Sequence, residues 1–227
     1  MGFLDLIFPK HCVSCRKRGD YICPDCFSLI SFDFDMICLV CNRPSIDGLT
    51  HPGCKSRYAI DGAFCAVSYK STVRKLIYNF KYKPYLSDLT ETLVGLFYES
   101  LIQQEIFQKA YALSPILVPV PLSTKRLRKR GYNHAKLLAQ GLSKNLNLKI
   151  MEVLQRVKET KTQHGLKLKD RKENLKGAFI LNTKCLMPDT IFLVDDILTS
   201  GSTLLEAARI LKRNGAKKVW GLTLARD

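Results

Sequence analysis

Apolar runs of strand length alternate with apolar residues at helical spacing along most of the chain. Residues 191–194 are four consecutive apolar positions, which predict a strand that is buried on both faces. A helical pattern follows and ends at Asn214–Gly215, a pair typical of helix C-termini. Such alternation predicts an α/β domain.

The same criteria assign the other elements of this domain. Further strands are predicted at 63–69, 116–121, 148–154 and 217–225, and helices at 71–80, 86–102 and 134–146. Residues 122–131 are expected to form a polar, cationic turn, and 156–179 a long cationic loop. Residues 1–10 predict a short apolar helix or arm.

The N-terminal region is distinguished by its cysteines. The chain has nine cysteines, and three CxxC pairs lie within its first 41 residues, followed by a His-x-x-Cys pair. This spacing lets both ligands of a pair reach one tetrahedral ion, so it predicts two structural zinc ions. The predicted ligands are Cys12, Cys15, Cys23 and Cys26 for one ion, and Cys38, Cys41, His51 and Cys54 for the other. We therefore expect a zinc module at 1–56 and the α/β domain at 57–227.

Three alternatives for these cysteines stay open at this point. In a cross-braced arrangement, the first CxxC pair would share an ion with the third, and the second with the His-x-x-Cys pair. The seven residues between Cys15 and Cys23 favour the sequential pairing instead. Cys65 could replace His51 as the last ligand. A redox dithiol is disfavoured, because it would be a single CxxC beside a thioredoxin-like pattern.

Charge is concentrated in one quarter of the chain. Of the net charge of +16, residues 121–176 carry +12, with sixteen Lys and Arg against four acids. Such an excess favours a polyanionic partner, and nucleic acid before a membrane surface. The candidate DNA-binding residues are Arg126, Arg128, Lys129, Arg130, Lys158, Lys161, Lys167, Lys169, Arg171 and Lys172. No membrane-spanning run or signal peptide is found, so we expect a cytoplasmic protein.

The stretch after the strand at 191–194 combines acids with a small hydroxyl-rich loop. Asp195 and Asp196 can accept hydrogen bonds from the hydroxyls of a ribose, as acids after strands do in dinucleotide folds. The following residues offer hydroxyls and backbone N–H groups at a helix N-terminus, which favours a phosphate. They are Thr199, Ser200, Gly201, Ser202 and Thr203.

This stretch resembles the phosphoribosyl-pyrophosphate motif of type I phosphoribosyltransferases: four apolar residues, two acids, two apolar residues and a Thr-Ser-Gly-Ser-Thr loop. The resemblance implies a parallel sheet flanked by helices, with Asp195 and Asp196 as catalytic residues. It implies Mg²⁺ with phosphoribosyl pyrophosphate as ligand, and a hood loop at 156–179. The pyrophosphate would bind after an earlier strand, at Ser123, Thr124, Lys125 and Arg126.

Nearly the whole chain resembles the ComF/ComFC competence family. The resemblance rests on the cysteine knuckles, on the run from Val118 to Asn133 and on the spaced residues between Arg156 and Phe179. It implies a DNA-uptake factor of natural transformation that handles single-stranded DNA, with proteins of the uptake machinery as partners. An active phosphoribosyltransferase with an unknown acceptor is the alternative, and a pure scaffold is the third class.

Overall fold

The structure, a computed structural model, describes residues 9–82, 89–159, 174–182 and 186–227. The strands are β1 (Gly62–Ser68), β2 (Ile116–Pro119), β3 (Leu154–Arg156), β4 (Phe179–Leu181), β5 (Thr190–Leu198) and β6 (Lys218–Arg226). The helices are α1 (Pro24–Phe27), α2 (Ser71–Tyr82), α3 (Leu89–Ile102), α4 (Glu105–Tyr111), α5 (Thr124–Arg130), α6 (His134–Leu146) and α7 (Ser202–Arg213).

Four strands form a parallel sheet in the order β1-β6-β5-β2. Strands β5 and β6 are almost wholly buried, because helices cover both faces of the sheet. Apolar residues of α2, α3 and α6 pack on one face, and those of α7 pack on the other. The predicted α/β fold with a parallel sheet and flanking helices is confirmed.

The order of the strands brings two loops to one edge of the sheet, where the parallel strands have their carboxyl ends. Strand β2 pairs with β5 so that Pro119 lies beside Val194, and the Val120 N–H donates to the Val194 carbonyl at 2.9 Å. Both strands therefore end at the same edge. The loop after β2 and the acids of β5 lie next to each other there, where parallel α/β sheets bind their ligands.

Two predicted elements are wrong in detail. The strand predicted at 148–154 is reduced to a single parallel bridge between Ile150 and Leu117, and the next regular strand is β3. The predicted turn at 122–131 is mostly the helix α5, which ends in a left-handed Gly131. Its sequence lacks a helical apolar stripe, so the pattern of apolar positions gave no signal for it.

The other boundaries lie close to the predictions. The helix predicted at 86–102 is seen from Leu89, and residues 83–88 lie outside the described part. The predicted loop at 156–179 has β3 and β4 at its base, paired antiparallel, while residues 160–173 are not described. Residues 1–8 of the predicted arm are likewise outside the described residues.

Candidate functional site

Two groups of metal-binding side chains occupy the N-terminal module. In each group, the four possible ligand atoms lie within 4.8 Å of one another. The first group contains Cys12, Cys15, Cys23 and Cys26, and the second contains Cys38, Cys41, His51 and Cys54. This grouping is the sequential one, so the cross-braced alternative is not what the structure shows. Four sulfur or imidazole donors at tetrahedral spacing fit structural zinc.

The second group shows how His51 is oriented toward a metal. Its Nδ1 lies 3.3 Å from the Cys41 sulfur, and its Nε2 lies 3.0 Å from the Pro44 carbonyl oxygen. A carbonyl acceptor on one ring nitrogen fixes the tautomer that leaves the other nitrogen free to bind metal. Cys65, the alternative ligand, is instead buried in β1 with its sulfur 3.0 Å from the Thr223 hydroxyl.

The two acids lie inside β5, before its end. Because side chains alternate along a strand, Asp195 and Asp196 point to opposite faces of the sheet. Asp196 is buried and forms a 2.8 Å ion pair with Lys81 of α2. Asp195 accepts a 2.9 Å hydrogen bond from the backbone N–H of Asp196. The acid pair therefore has a different electrostatic environment on each face.

These environments move the two pKa values in opposite directions. Burial, and then the charge of Asp196, raise the pKa of Asp195, although Lys81 and Arg156 oppose the rise. Burial also disfavours the charged form of Asp196, but the charge of Lys81 and its hydrogen bond outweigh this effect and lower the pKa of that carboxyl. At neutral pH the doublet thus holds one firmly ionised carboxylate beside one that retains a proton easily.

His134 and Arg156 complete the surroundings of the acids. His134 begins α6 and is buried, and this burial lowers its pKa to about 4, so the imidazole is neutral at physiological pH. Burial likewise lowers the pKa of Arg156 to about 10, which leaves the guanidinium charged. Arg156 also lies over the Phe179 ring, 5.5 Å from its centroid. The cations that act on the acids include Lys81, Arg156 and Arg130.

The hydroxyl loop after β5 opens α7. Gly201 is the residue before the helix and has φ of 69°, a conformation that favours glycine. The hydroxyls of Ser200 and Ser202 are buried and lie 2.9 Å apart, so they bond to each other. Thr199 and Thr203 are partly exposed. A phosphate at this loop would therefore meet Thr199, Thr203 and backbone N–H groups first.

The second zinc group supports this loop directly. A Cβ at Gly201 would lie 2.8 Å from Cδ2 of Leu39, which is fully buried between the ligands Cys38 and Cys41. From the other side, the Arg226 guanidinium donates to the carbonyl of Thr199 at 3.1 Å. The shape of the loop thus depends on the zinc module as well as on the sheet.

The predicted pyrophosphate residues lie at the start of α5. The Ser123 hydroxyl and the Lys125 backbone N–H both donate to the carboxylate of Glu159, at 2.9 and 3.1 Å. Accepting from the Lys125 N–H, and also from Ser123, lowers the pKa of Glu159. These groups therefore already hold an anionic carboxylate. Thr124 is exposed and Arg126 is partly exposed.

The candidate DNA-binding residues divide into two sets. Arg128 and Lys129 are exposed on α5, Arg126 and Arg130 are partly exposed on the same helix, and Lys158 is exposed after β3. The remaining candidates, Lys161, Lys167, Lys169, Arg171 and Lys172, lie outside the described residues. Among the described helices, none combines the length and apolarity that a membrane crossing requires.

Four residues of the site were not predicted from the sequence, namely Lys81, His134, Arg156 and Glu159. Lys81 follows the core positions of α2 and carries no local mark of its pairing with Asp196, 115 residues later. The one signal in the sequence is that the run Ile77-Tyr-Asn-Phe-Lys-Tyr-Lys83 also resembles the ComF/ComFC family.

Comparisons with known proteins agree with this architecture. A model of the "Double zinc ribbon domain" matches residues 3–56, and one of the "Phosphoribosyl transferase domain" matches residues 127–227. Competence protein F of Haemophilus influenzae is 45% identical over 118 residues, which are 50% of this chain and 52% of that protein. DNA utilization protein YhgH of Escherichia coli K12 is 42% identical over 109 residues, 47% of this chain and 48% of that protein.

A third relative extends the similarity to most of the chain. Competence protein ComFC of Bacillus subtilis is 28% identical over 232 aligned positions, which cover 93% of this chain and 86% of that protein. The matches to the first two relatives span only about half of their length. The zinc ribbon, the phosphoribosyltransferase-like sheet and these relatives together make the chain similar to proteins of the ComF/ComFC family.

Proposed function

We propose that this protein is a DNA-uptake factor that binds single-stranded DNA on a basic surface and phosphoribosyl pyrophosphate with Mg²⁺ in a pocket beside it. The observation that carries the proposal is the position of α5. This helix places five cations, from Lys125 to Arg130, at the same edge of the sheet as the acid pair. The names of the relatives, which refer to competence and DNA utilization, support the same role.

The pocket would divide its ligand between three groups of residues. Asp195 and Asp196 would accept hydrogen bonds from the ribose hydroxyls, and the loop from Thr199 to Thr203 would hold the 5-phosphate. Ser123, Thr124, Lys125 and Arg126 would bind the pyrophosphate, with Glu159 displaced. Carboxylate oxygens beside a bound polyphosphate would be suitable ligands for a Mg²⁺ ion bound together with it. We also propose that the zinc module ends at residue 56.

Binding to DNA would be mainly electrostatic. Lysine and arginine side chains that contact phosphates release counterions, so the affinity should fall steeply with salt and depend little on sequence. For single strands, each phosphate contact makes the slope of log K against log salt concentration steeper by about 0.7. A surface built from α5 and Lys158 would therefore give a slope that tracks the number of its cations.

Two titrations test the proposal. Fluorescence polarisation with a single-stranded oligonucleotide, repeated across a range of salt, should give a steep negative slope. An Arg128→Gln/Lys129→Gln variant should reduce the steepness of that slope by about 1.4. The control variant Arg43→Gln/Lys144→Gln, which removes two exposed cations outside α5, should leave the slope unchanged. Salt-independent binding, or no binding, would contradict the DNA role. For the pocket, calorimetry with phosphoribosyl pyrophosphate and Mg²⁺ should show saturable heat, weakened in Asp195→Asn.

An active phosphoribosyltransferase is the second candidate function. It is favoured by the proximity of the acid pair to the loop after β2, because that loop could stabilise a departing pyrophosphate. In that reaction the bond from ribose C1 to the pyrophosphate breaks, and a bond from C1 to an acceptor forms. Release of pyrophosphate in the presence of purine and pyrimidine bases, lost in Asp196→Asn, would support this function.

A further inference from the structure

A cleft lies between the first zinc group and α2. Its volume is about 850 Å³, and one wall is formed by Val13, Ser14 and Arg16, around the ligand Cys15. The opposite wall is the outer face of α2. The Lys75 ammonium group donates to the Ser14 carbonyl and hydroxyl oxygens, both at 3.3 Å, and so joins the two walls. The cleft is therefore a junction between the zinc module and the sheet domain.

Two exposed aromatic rings stand on the α2 wall. Tyr78 and Tyr82 are 59% and 51% exposed, and their ring centroids lie 4.9 Å apart at an angle of 45°. These residues are one helical turn apart, so their rings share one face of the helix. Neither ring is packed into the core. Exposed rings of this kind can contact a ligand, at a position where the fold does not need them for burial.

The charged side chains among the described lining residues of the cleft are all cationic. Arg16, Arg74, Lys75 and Lys81 line it, and no acidic side chain occurs among the described lining residues. Arg16 and Arg74 are exposed. Clustered cations repel one another unless an anion lies between them. Cations that follow a groove, with aromatic rings between them, match the phosphates and bases of a single strand.

The cleft is continuous with the site already described. Arg130, at the end of α5, lies over the Tyr82 ring at 5.2 Å, and its guanidinium donates to the Tyr82 hydroxyl at 3.4 Å. At the same end of the cleft, Lys81 makes the ion pair with Asp196. A strand that occupies the cleft would thus lead from the zinc module to α5 and to the acid pair.

We propose that this cleft is the base-stacking part of the DNA site, with nucleobases of a single strand on Tyr78 and Tyr82 and its phosphates near Arg16 and Arg74. The inference rests on the proposed DNA-binding function and adds where the strand lies and how its bases are held. Stacking tolerates every base, because each has a π-face, so no sequence preference is expected.

The test compares two oligonucleotides of equal length, one of thymidines and one with an abasic backbone, in fluorescence polarisation. The two carry the same phosphates, so only the thymidine strand can stack. The wild type should bind thymidines more tightly, by roughly tenfold or more. A Tyr78→Ala/Tyr82→Ala variant should lose this preference with an unchanged salt slope, and Tyr78→Phe/Tyr82→Phe should keep it, because the rings remain.

The control is Phe32→Ala, which removes a ring that is 52% exposed and lines a different cavity. It should bind both strands as the wild type does. If the wild type binds both strands equally, or the double alanine variant keeps its preference, the stacking site is refuted and the basic surface stands. If the wild type binds neither strand, the DNA-binding proposal itself fails. Binding to anionic phospholipid vesicles but not to DNA would instead assign the cleft to membranes.

Discussion

Replacing Asp195 by asparagine should stabilise the protein at alkaline pH while weakening its pocket. In the ligand-free chain, burial and the neighbouring charge of Asp196 raise the pKa of Asp195 from 3.8 to about 7. A carboxyl whose pKa is higher in the folded state binds its proton more tightly there. The free energy of unfolding therefore falls as pH rises from about 4 to about 7, and stays low above that range. Asparagine removes this loss and can still accept the hydrogen bond from the Asp196 N–H.

The magnitude follows from this change in proton affinity. Each tenfold change is worth about 1.4 kcal/mol, so the pKa difference sets an upper bound of about 4 kcal/mol. Asp195 is partly exposed and titrates together with Asp196, which reduces the expected gain to about 1–2 kcal/mol. For a chain of this size, that gain raises the melting temperature by about 2–8 °C.

Thermal unfolding of both proteins between pH 4 and pH 8 measures the effect. The melting temperature of Asp195→Asn minus that of the wild type should be near zero at pH 4, grow until about pH 7 and then level off. Asp196→Asn is the matched control with the opposite sign, because it removes the partner of Lys81 and should melt lower at pH 8. If Asp195→Asn melts at or below the wild-type temperature at pH 8, the described electrostatics of the doublet are wrong.

Three further predictions concern the groups around the acids. Gly201→Ala should weaken binding of phosphoribosyl pyrophosphate in calorimetry, because the added Cβ meets Leu39 and the backbone at this position is left-handed. Adding Leu39→Ala to this variant should relieve the clash but not the backbone strain, so full recovery of binding would contradict the prediction. Glu159→Ala should bind inorganic pyrophosphate more tightly than the wild type, since it frees the Ser123 hydroxyl and the Lys125 N–H, whereas the control Glu152→Gln should not. Purified protein should contain two zinc ions per chain by elemental analysis. A chelator that removes them should also weaken binding of phosphoribosyl pyrophosphate, because the packing of Leu39 on the loop would be lost. Unchanged binding by the metal-free protein would refute this coupling.

The features that were predictable from the sequence are those encoded by neighbouring residues. The cysteine spacing indicated both zinc groups, and the run from Ile191 to Thr203 indicated the strand, the loop and the helix that the structure shows. In both cases the chemistry needs its residues close together in the chain. A local pattern therefore carries the information.

The remaining features depend on contacts between distant segments. The pairing of Lys81 with Asp196 and the packing of Leu39 on Gly201 join residues more than a hundred positions apart. Helix α5 was missed because its one apolar residue, Leu127, is exposed, so no stripe faces the core. The strand predicted at 148–154 was wrong because an apolar run can form one bridge to the outermost strand, β2, without continuing alongside it.

A crystal structure of the protein grown with phosphoribosyl pyrophosphate and Mg²⁺ would show directly whether the pocket binds this ligand. We expect the ribose at Asp195 and Asp196, the 5-phosphate at the loop from Thr199 to Thr203 and the pyrophosphate in place of the Glu159 carboxylate. A ligand bound elsewhere, or a loop that stays empty at saturating ligand, would contradict it.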